Sequence, residues 1–245
     1  MNKMAFFVEG ETELELIHRL LTELAEARHL MIETKRASGG KRSPRIYTLR
    51  ASTAGAQPTH YFLIINSACD SRVKQDVIEN YAGMIRQGFS QIIGVRDVYP
   101  DYPRHEIPRL RRGLDYGVKT QPFKPLWVLG IMEVEAWLLS ESTHFPRIDP
   151  ALTVARIGAE LSFNPAVDDM ELRDHPAQDL DSIYSLVHKR WQKTEAQRAR
   201  TISALDIEEF YINTAKRHPD LEVLISAIDA FLDTPPSAQS RPQVP

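Results

Sequence analysis

Residues 4–13 read MAFFVEGETE: an apolar run halts at Glu9 and Gly10, and a helix start follows at once. Thr12 with Glu15 three residues on has the form of a capping box, ahead of the apolar series Leu14, Ile17, Leu20, Leu21 and Leu24. Strand, turn and helix together have the form of the first half of a βαβ unit. Gly10 suits a tight turn directly after Glu9, because it reaches backbone angles closed to other residues. Glu9 is then expected at the carboxyl edge of a strand, where open α/β sheets bind ligands. Taken alone, a glutamate there commonly marks only where the chain meets solvent, so its weight depends on what recurs downstream.

Working outward, residues 30–35 suit a short second strand, and residues 36–50 form a basic Gly/Ser stretch that reads as a mobile loop or hairpin. The continuous apolar run YFLIIN at 61–66 is the pattern of a strand buried on both faces. Val73, Val77, Ile78, Tyr81, Met84 and Ile85 recur at helical spacing, with Asp70 or Ser71 as cap and Gly88 as stop. QIIGV at 91–95 is another short strand, and Asp97 closes it as Glu9 closes the first. Residues 99–112 are rich in proline and arginine and should leave the sheet as a loop, resuming as helix near Ile107. A further apolar run at 126–132 meets Glu133 and Glu135 at the entry to the helix EVEAWLLS.

Beyond Phe145 the periodicity predicts helices at 151–161, 179–191, 195–205 and 221–232. The expected organisation is therefore an α/β core over 1–145, a helical region packed on it over 146–233, and a tail at 234–245 too poor in large apolar groups to fold.

The bulk numbers narrow the function classes. A net charge of −3 and a pI near 6.3 argue against a surface coated in positive charge for non-specific nucleic-acid binding, while leaving local basic patches open. One cysteine, Cys69, excludes an intrachain disulfide framework and a thiolate zinc cluster, and suits a reducing compartment. No apolar stretch reaches the roughly 18 residues of a spanning helix, and no signal-peptide pattern opens the chain, so a soluble cytoplasmic protein without membrane partners is expected. The eight histidines are scattered without HExxH spacing, from which no zinc site is expected.

Alternating strands and helices predict a parallel sheet that brings Glu9, Asp97 and Glu133/Glu135 to one edge. Carboxylates sharing a site repel one another, and divalent cations relieve that repulsion; hard oxygen donors favour Mg²⁺ or Mn²⁺. Helix phase sets Glu133 and Glu135 on opposite sides of Val134, so both should not face one metal squarely.

FFVEGETE (6–13), IIGVRDVYPDYP (92–103) and VLGIMEVEAWLL (128–139) together resemble the motifs of the TOPRIM domain, the metal-binding module of topoisomerases, primases and a group of bacterial nucleases. The likeness is greatest to stand-alone TOPRIM-like proteins that accompany anti-phage defence ATPases, and it covers roughly residues 4 to 140. It implies a TOPRIM-like Rossmannoid sheet and a Mg²⁺- or Mn²⁺-dependent nuclease acting on DNA or RNA. Glu9, Asp97 and Glu135 would hold metal, assisted by Glu133 or Asp101. Lys193 would be the catalytic cation, against the plain alternative of a solvated helix lysine. One departure is that Tyr99 stands where the second acid of the family's Asp-x-Asp element belongs, with Asp101 as the substitute the turn would have to supply. The basic stretches offer Lys41, Arg42, Arg45, Arg104, Arg109, Arg111 and Arg112 as phosphate contacts. The resemblance also implies a partner ATPase and allows a homo-oligomer. Two other classes compete: a TOPRIM-fold regulatory or scaffold subunit that binds a partner without cutting, and a Rossmann-like small-molecule binder, which the lack of GxGxxG and Walker A motifs disfavours.

Overall fold

The computed structural model describes residues 1–25, 29–40 and 43–235. Its strands are β1 (Asn2–Val8), β2 (Leu30–Ser38), β3 (Ile46–Ala54), β4 (His60–Asn66), β5 (Gln91–Asp97) and β6 (Leu126–Gly130). They form one sheet of order β3-β2-β4-β1-β5-β6, in which only the β2–β3 pair is antiparallel. The basic stretch after residue 35 is thus largely strand: β2 runs on to Ser38 and turns back as β3, which lies at an exposed edge and needs no apolar pattern.

β1 is central because every residue from Met4 to Val8 is apolar and fully buried, so neither face tolerates solvent. Side chains alternate across it. Met4, Phe6 and Val8 pack with Leu16, Ile17, Leu20 and Leu21 of α1 (Glu11–Leu24), while Ala5 and Phe7 pack with Val73, Val77, Tyr81 and Met84 of α2 (Asp70–Arg86). Each fully buried aliphatic or aromatic side chain contributes about 1.5–3 kcal/mol, so this two-sided packing fixes β1 against slippage. The result is a Rossmann-like arrangement, a mostly parallel sheet flanked by helices.

α1 starts one residue after the glycine, and its capping box differs from the expected one. The Glu13 carboxylate accepts from the Gly10 backbone N–H at 2.9 Å, whereas Glu15 is paired with Arg198 at 2.8 Å. The reason is that Gly10 takes the extended cap conformation, which shifts the first turn two residues upstream of Thr12.

After β5 come a 3₁₀ turn at Arg104–Glu106 and α3 (Ile107–Asp115), which covers the β6 side with Leu110 and Leu114. α4 (Glu135–Ser140) follows β6 and is buried along its whole length. The remaining helices are α5 (Phe145–Ile148), α6 (Val154–Leu161), α7 (Pro176–Ser185), α8 (Glu195–Ala204), α9 (Ile207–Glu209), α10 (Ala215–Arg217) and α11 (Pro219–Leu232), with a π-helical turn at Phe210–Thr214 between α9 and α10. The helix expected over 179–191 is shorter at its C-terminal end, because α7 stops at Ser185 and the chain takes a left-handed residue at His188. Phe145, Tyr184, Phe210, Leu224 and Ile228 belong to the same buried cluster as Phe6 and Leu16, so the C-terminal helices complete the α1 face of the sheet. α11 ends beside the start of β1, where the Asn2 amide donates to the Thr234 and Pro235 carbonyls at 2.9 and 3.1 Å. The rest of the tail lies outside the described residues.

Candidate active site

The C-terminal edge of the three central strands gathers the acids. Val8 is level with Asn66 on β4 and with Val95 on β5, which brings Glu9 beside the end of β5. There the Asp97 backbone N–H donates to Glu9 Oε2 at 2.9 Å, and Asp97 Oδ1 accepts from Val134 N–H at 2.8 Å. Asp97 reaches Val134 because its strand neighbour is Gly130: a Cβ at 130 would lie 2.4 Å from Asp97 Oδ1. Glu13, folded back by its cap bond to Gly10, is 4% exposed.

The next carboxylate comes from α4. Glu135 is fully buried, its Oε1 accepting from Trp191 Nε1 at 3.2 Å and lying 2.9 Å from Lys193 Nζ. Its Oε2 has no hydrogen-bond partner among the described residues. Lys193 reaches this point from a loop after α7 whose course Asp181 sets, accepting from Trp191 N–H at 2.6 Å and from the Arg190 guanidinium at 2.8 Å. Lys193 itself takes a left-handed φ of 55°, so it is not a helix residue. Glu133 diverges from Glu135, as helix phase requires: its Oε2 accepts from Ala177 N–H in the first turn of α7 at 2.8 Å.

These groups perturb one another. Burial, followed by the charge of Glu135, raises Glu13 to about 7, against the pull of Lys193 and its own cap bond. Burial also lifts Asp97 well above the usual carboxylate range, with Glu13, Glu9 and Glu135 adding to the shift and Lys193 opposing it. Glu133 is raised by burial and by Glu135, with the Ala177 N–H drawing it back. Burial works against the charge on Lys193, but Glu135, Asp97 and Glu13 outweigh it and hold the ammonium protonated. The donors here are hard oxygens, and a wholly buried carboxylate oxygen of Glu135 has no hydrogen-bond partner among the described residues, but no three of these carboxylates bring ligand atoms within 4.8 Å of one another.

Other sequence-derived candidates go elsewhere. Asp101 turns to Arg96, 3.0 Å away, because that buried guanidinium needs a counter-charge, and it is 40% exposed. Tyr99, in the place of the missing acid, packs edge-on to His175. Arg45 is bound to the buried Asp76 at 2.6 Å and to the Ser67 carbonyl, Arg111 is bound to Asp220, and Arg104 donates to the Glu171 and Arg173 carbonyls. These three guanidinia brace the fold rather than stand open to a phosphate. Arg109 pairs with Glu106 at the surface, Arg112 is exposed, and Lys41 and Arg42 lie outside the described residues. Glu13 and Trp191 were not signalled as site residues; the one available cue is that Glu13 stands one helical turn after Glu9.

Among the described residues, the group placed to hold a divalent cation comprises Asp169, Glu171 and His218, whose ligand atoms all lie within 4.8 Å of one another. His218 is 1% exposed; its Nε2 is 2.7 Å from Ser140 Oγ at the end of α4, which turns Nδ1 toward Glu171 Oε1 at 3.1 Å. The scattered histidine spacing gave no sign of it, since the three residues meet only through the packing of α11 on the segment around Met170.

The fold and the Asp169, Glu171 and His218 group define an α/β protein with a candidate divalent-cation site, consistent with a metal-dependent hydrolytic enzyme. No protein-family model matches the chain, and no curated protein matches it. Among solved structures, a chain described as a cell surface hydrolase of Lactobacillus plantarum aligns over 95% of this chain and 91% of its own, with 8% identity and a TM-score of 0.30. An overlap that slight supports no statement about fold or chemistry.

Proposed function

We propose that the protein is a TOPRIM-like, Mg²⁺- or Mn²⁺-dependent nuclease hydrolysing phosphodiester bonds of DNA or RNA. The observation that carries the reading is the meeting of Glu9, Glu13, Asp97 and Glu135 with Lys193 at the C-terminal edge of the central strands. Glu9, Asp97 and Glu135 are the residues to hold the cation, with Glu133 assisting. When bound, the cation lowers the pKa of an attacking water and offsets charge on the leaving oxygen. Lys193, kept protonated by its carboxylate neighbours, offsets the remaining charge of the phosphate. Glu13, raised by burial and by Glu135 in the metal-free cluster, stands beside the proposed ligands as a candidate to hold or pass a proton. Asp97 and Glu135 are held in place by backbone, indole and ammonium contacts.

On the resemblance alone, such a nuclease would be the effector of an anti-phage defence system, working with a partner ATPase in the cytoplasm. The second reading, a scaffold subunit of the same fold that does not cut, is favoured by Tyr99 in the second motif and by the pairing of Asp101 with Arg96. The deciding experiment incubates purified protein with DNA and RNA in Mg²⁺, Mn²⁺ or EDTA, beside Glu9→Gln and Glu135→Gln. Cleavage that needs metal and drops about 100-fold or more in both variants is expected. Absence of cutting in every condition, with the partner ATPase added, would sink the nuclease in favour of the scaffold.

A further inference from the structure

Beside the acid edge lies a cleft of about 820 Å³ between the β2–β3 hairpin and the start of α2. Arg36, Arg50 and Arg72 line it, and it adjoins a smaller cavity of about 310 Å³ that contains Glu9 and shares Arg36, Ala68 and Cys69 with it. Arg36 is level with Asn66 at the end of β4, and so stands at the same sheet edge as Glu9. Arg50 sits at a break in the β2–β3 register: Lys35 pairs with Leu49 and Thr34 with Ala51, which leaves Arg50 as the extra residue. A bulge of this kind re-aims a side chain, and here Arg50 and Thr48 both line the cleft.

Arg36 and Arg50 differ from the arginines that brace the fold. Arg45, Arg104 and Arg111 are held by acids or carbonyls, whereas the exposed guanidinia of Arg36 and Arg50 have no hydrogen bond or ion pair among the described residues. Ser67, fully buried, also lines the cleft, and its Oγ has no hydrogen-bond partner among the described residues. The floor is the N-terminus of the 17-residue α2, a source of partial positive charge. Arg72 and Arg45, which also line the cleft, are paired with Asp76, so in a chain of net charge −3 the uncommitted positive charge here is that of Arg36 and Arg50.

We propose that this cleft is a phosphate-backbone subsite that carries the polynucleotide strand from Arg50 over Arg36 to the Glu9 edge. It rests on the nuclease reading for its substrate class. Affinity there is electrostatic and independent of sequence, because guanidinia meet phosphates and no base-reading groove is formed.

The test is fluorescence anisotropy with labelled 20-nucleotide single strands and duplexes in EDTA, over a salt series. Arg36→Ala/Arg50→Ala should weaken binding at least tenfold at low salt and flatten the salt slope by about 1.4 for a single strand or about 1.8 for a duplex. Thr48→Lys, which adds a cation at an exposed cleft position, should tighten it. Unchanged affinity and slope in the double variant overturn the subsite. A mononucleotide that binds as tightly as the 20-mer, through the same two arginines, overturns the strand path in favour of a small ligand. Cleavage does not enter the readout: arginine-dependent binding in a protein that never cuts leaves the subsite standing without the nuclease, and metal-dependent cutting with binding indifferent to both arginines does the reverse.

Discussion

A methyl group at position 130 would lie 2.4 Å from Asp97 Oδ1 and 2.8 Å from the Val134 nitrogen, two atoms that are hydrogen-bonded to each other. Gly130→Ala should therefore cost about 1–3 kcal/mol of stability by overpacking and weaken Mn²⁺ binding by displacing Asp97, as measured by denaturant titration and by calorimetry. Glu13 makes a prediction of opposite kind. Its pKa rises from 4.5 to about 7 on folding, so its contribution to stability is complete below 4.5 and is lost as pH climbs through about 7. In EDTA the loss amounts to something on the order of 3 kcal/mol at pH 8. Glu13→Gln keeps an acceptor for Gly10 N–H and removes the charge, so it should be more stable than wild type at pH 8, with the advantage gone at pH 4. Melting at the two pH values checks this; equal differences would refute it. Glu9 and Asp97 were legible because each closes an apolar run. Glu13 was not, since a glutamate in the first turn of a helix usually serves the cap, and here it serves cap and cluster at once. Asp169, Glu171 and His218 carry no spacing signal across the 49 positions from Asp169 to His218.

At the scale of elements, β6 is an edge strand whose Leu129 N–H is answered by a side chain: Asp220, in the first turn of α11, accepts from it at 2.9 Å and holds Arg111 as well. Asp220→Ala leaves that buried N–H unpaired, at a cost of about 1–3 kcal/mol, and opens the edge to pairing with another chain. Denaturant midpoints and light scattering should show lower stability and self-association, with Asp220→Asn in between. The loop between α7 and α8 offers a parallel case. Asp181→Ala releases Trp191 and Arg190, and through them Lys193, so activity should fall while the fold persists, a combination that circular dichroism and a cleavage assay report together. β1, β4, β5 and β6 could be read from sequence because burial on both faces demands apolar runs, whereas β2 alternates and is legible only as far as Lys35. β3 could not be delimited, since an exposed edge strand imposes no such demand, and the π-helical turn at 210–214 has no periodicity of its own. Tertiary packing, rather than propensity, ended α7 at Ser185.

Over the whole molecule, one buried cluster joins β1, α1, α4 and the helices of the C-terminal region, so the acids are mounted on a shared core instead of between independently moving parts. The sheet places its chemistry at one end of the strands. At the other end Asn2 holds the carbonyls of Thr234 and Pro235 at 2.9 and 3.1 Å. The first and last described elements are thus neighbours on the side remote from Glu9, separated from it by the seven residues of β1, roughly 20 Å or more. That adjacency makes the order of elements along the chain negotiable. A circular permutant with a short linker joining the two ends and new ends in the exposed segment around Lys119, between α3 and β6, should retain the wild-type far-UV spectrum and Mn²⁺ affinity. A tag, surface tether or fused partner attached at residue 1 would likewise sit at the strand ends remote from Glu9.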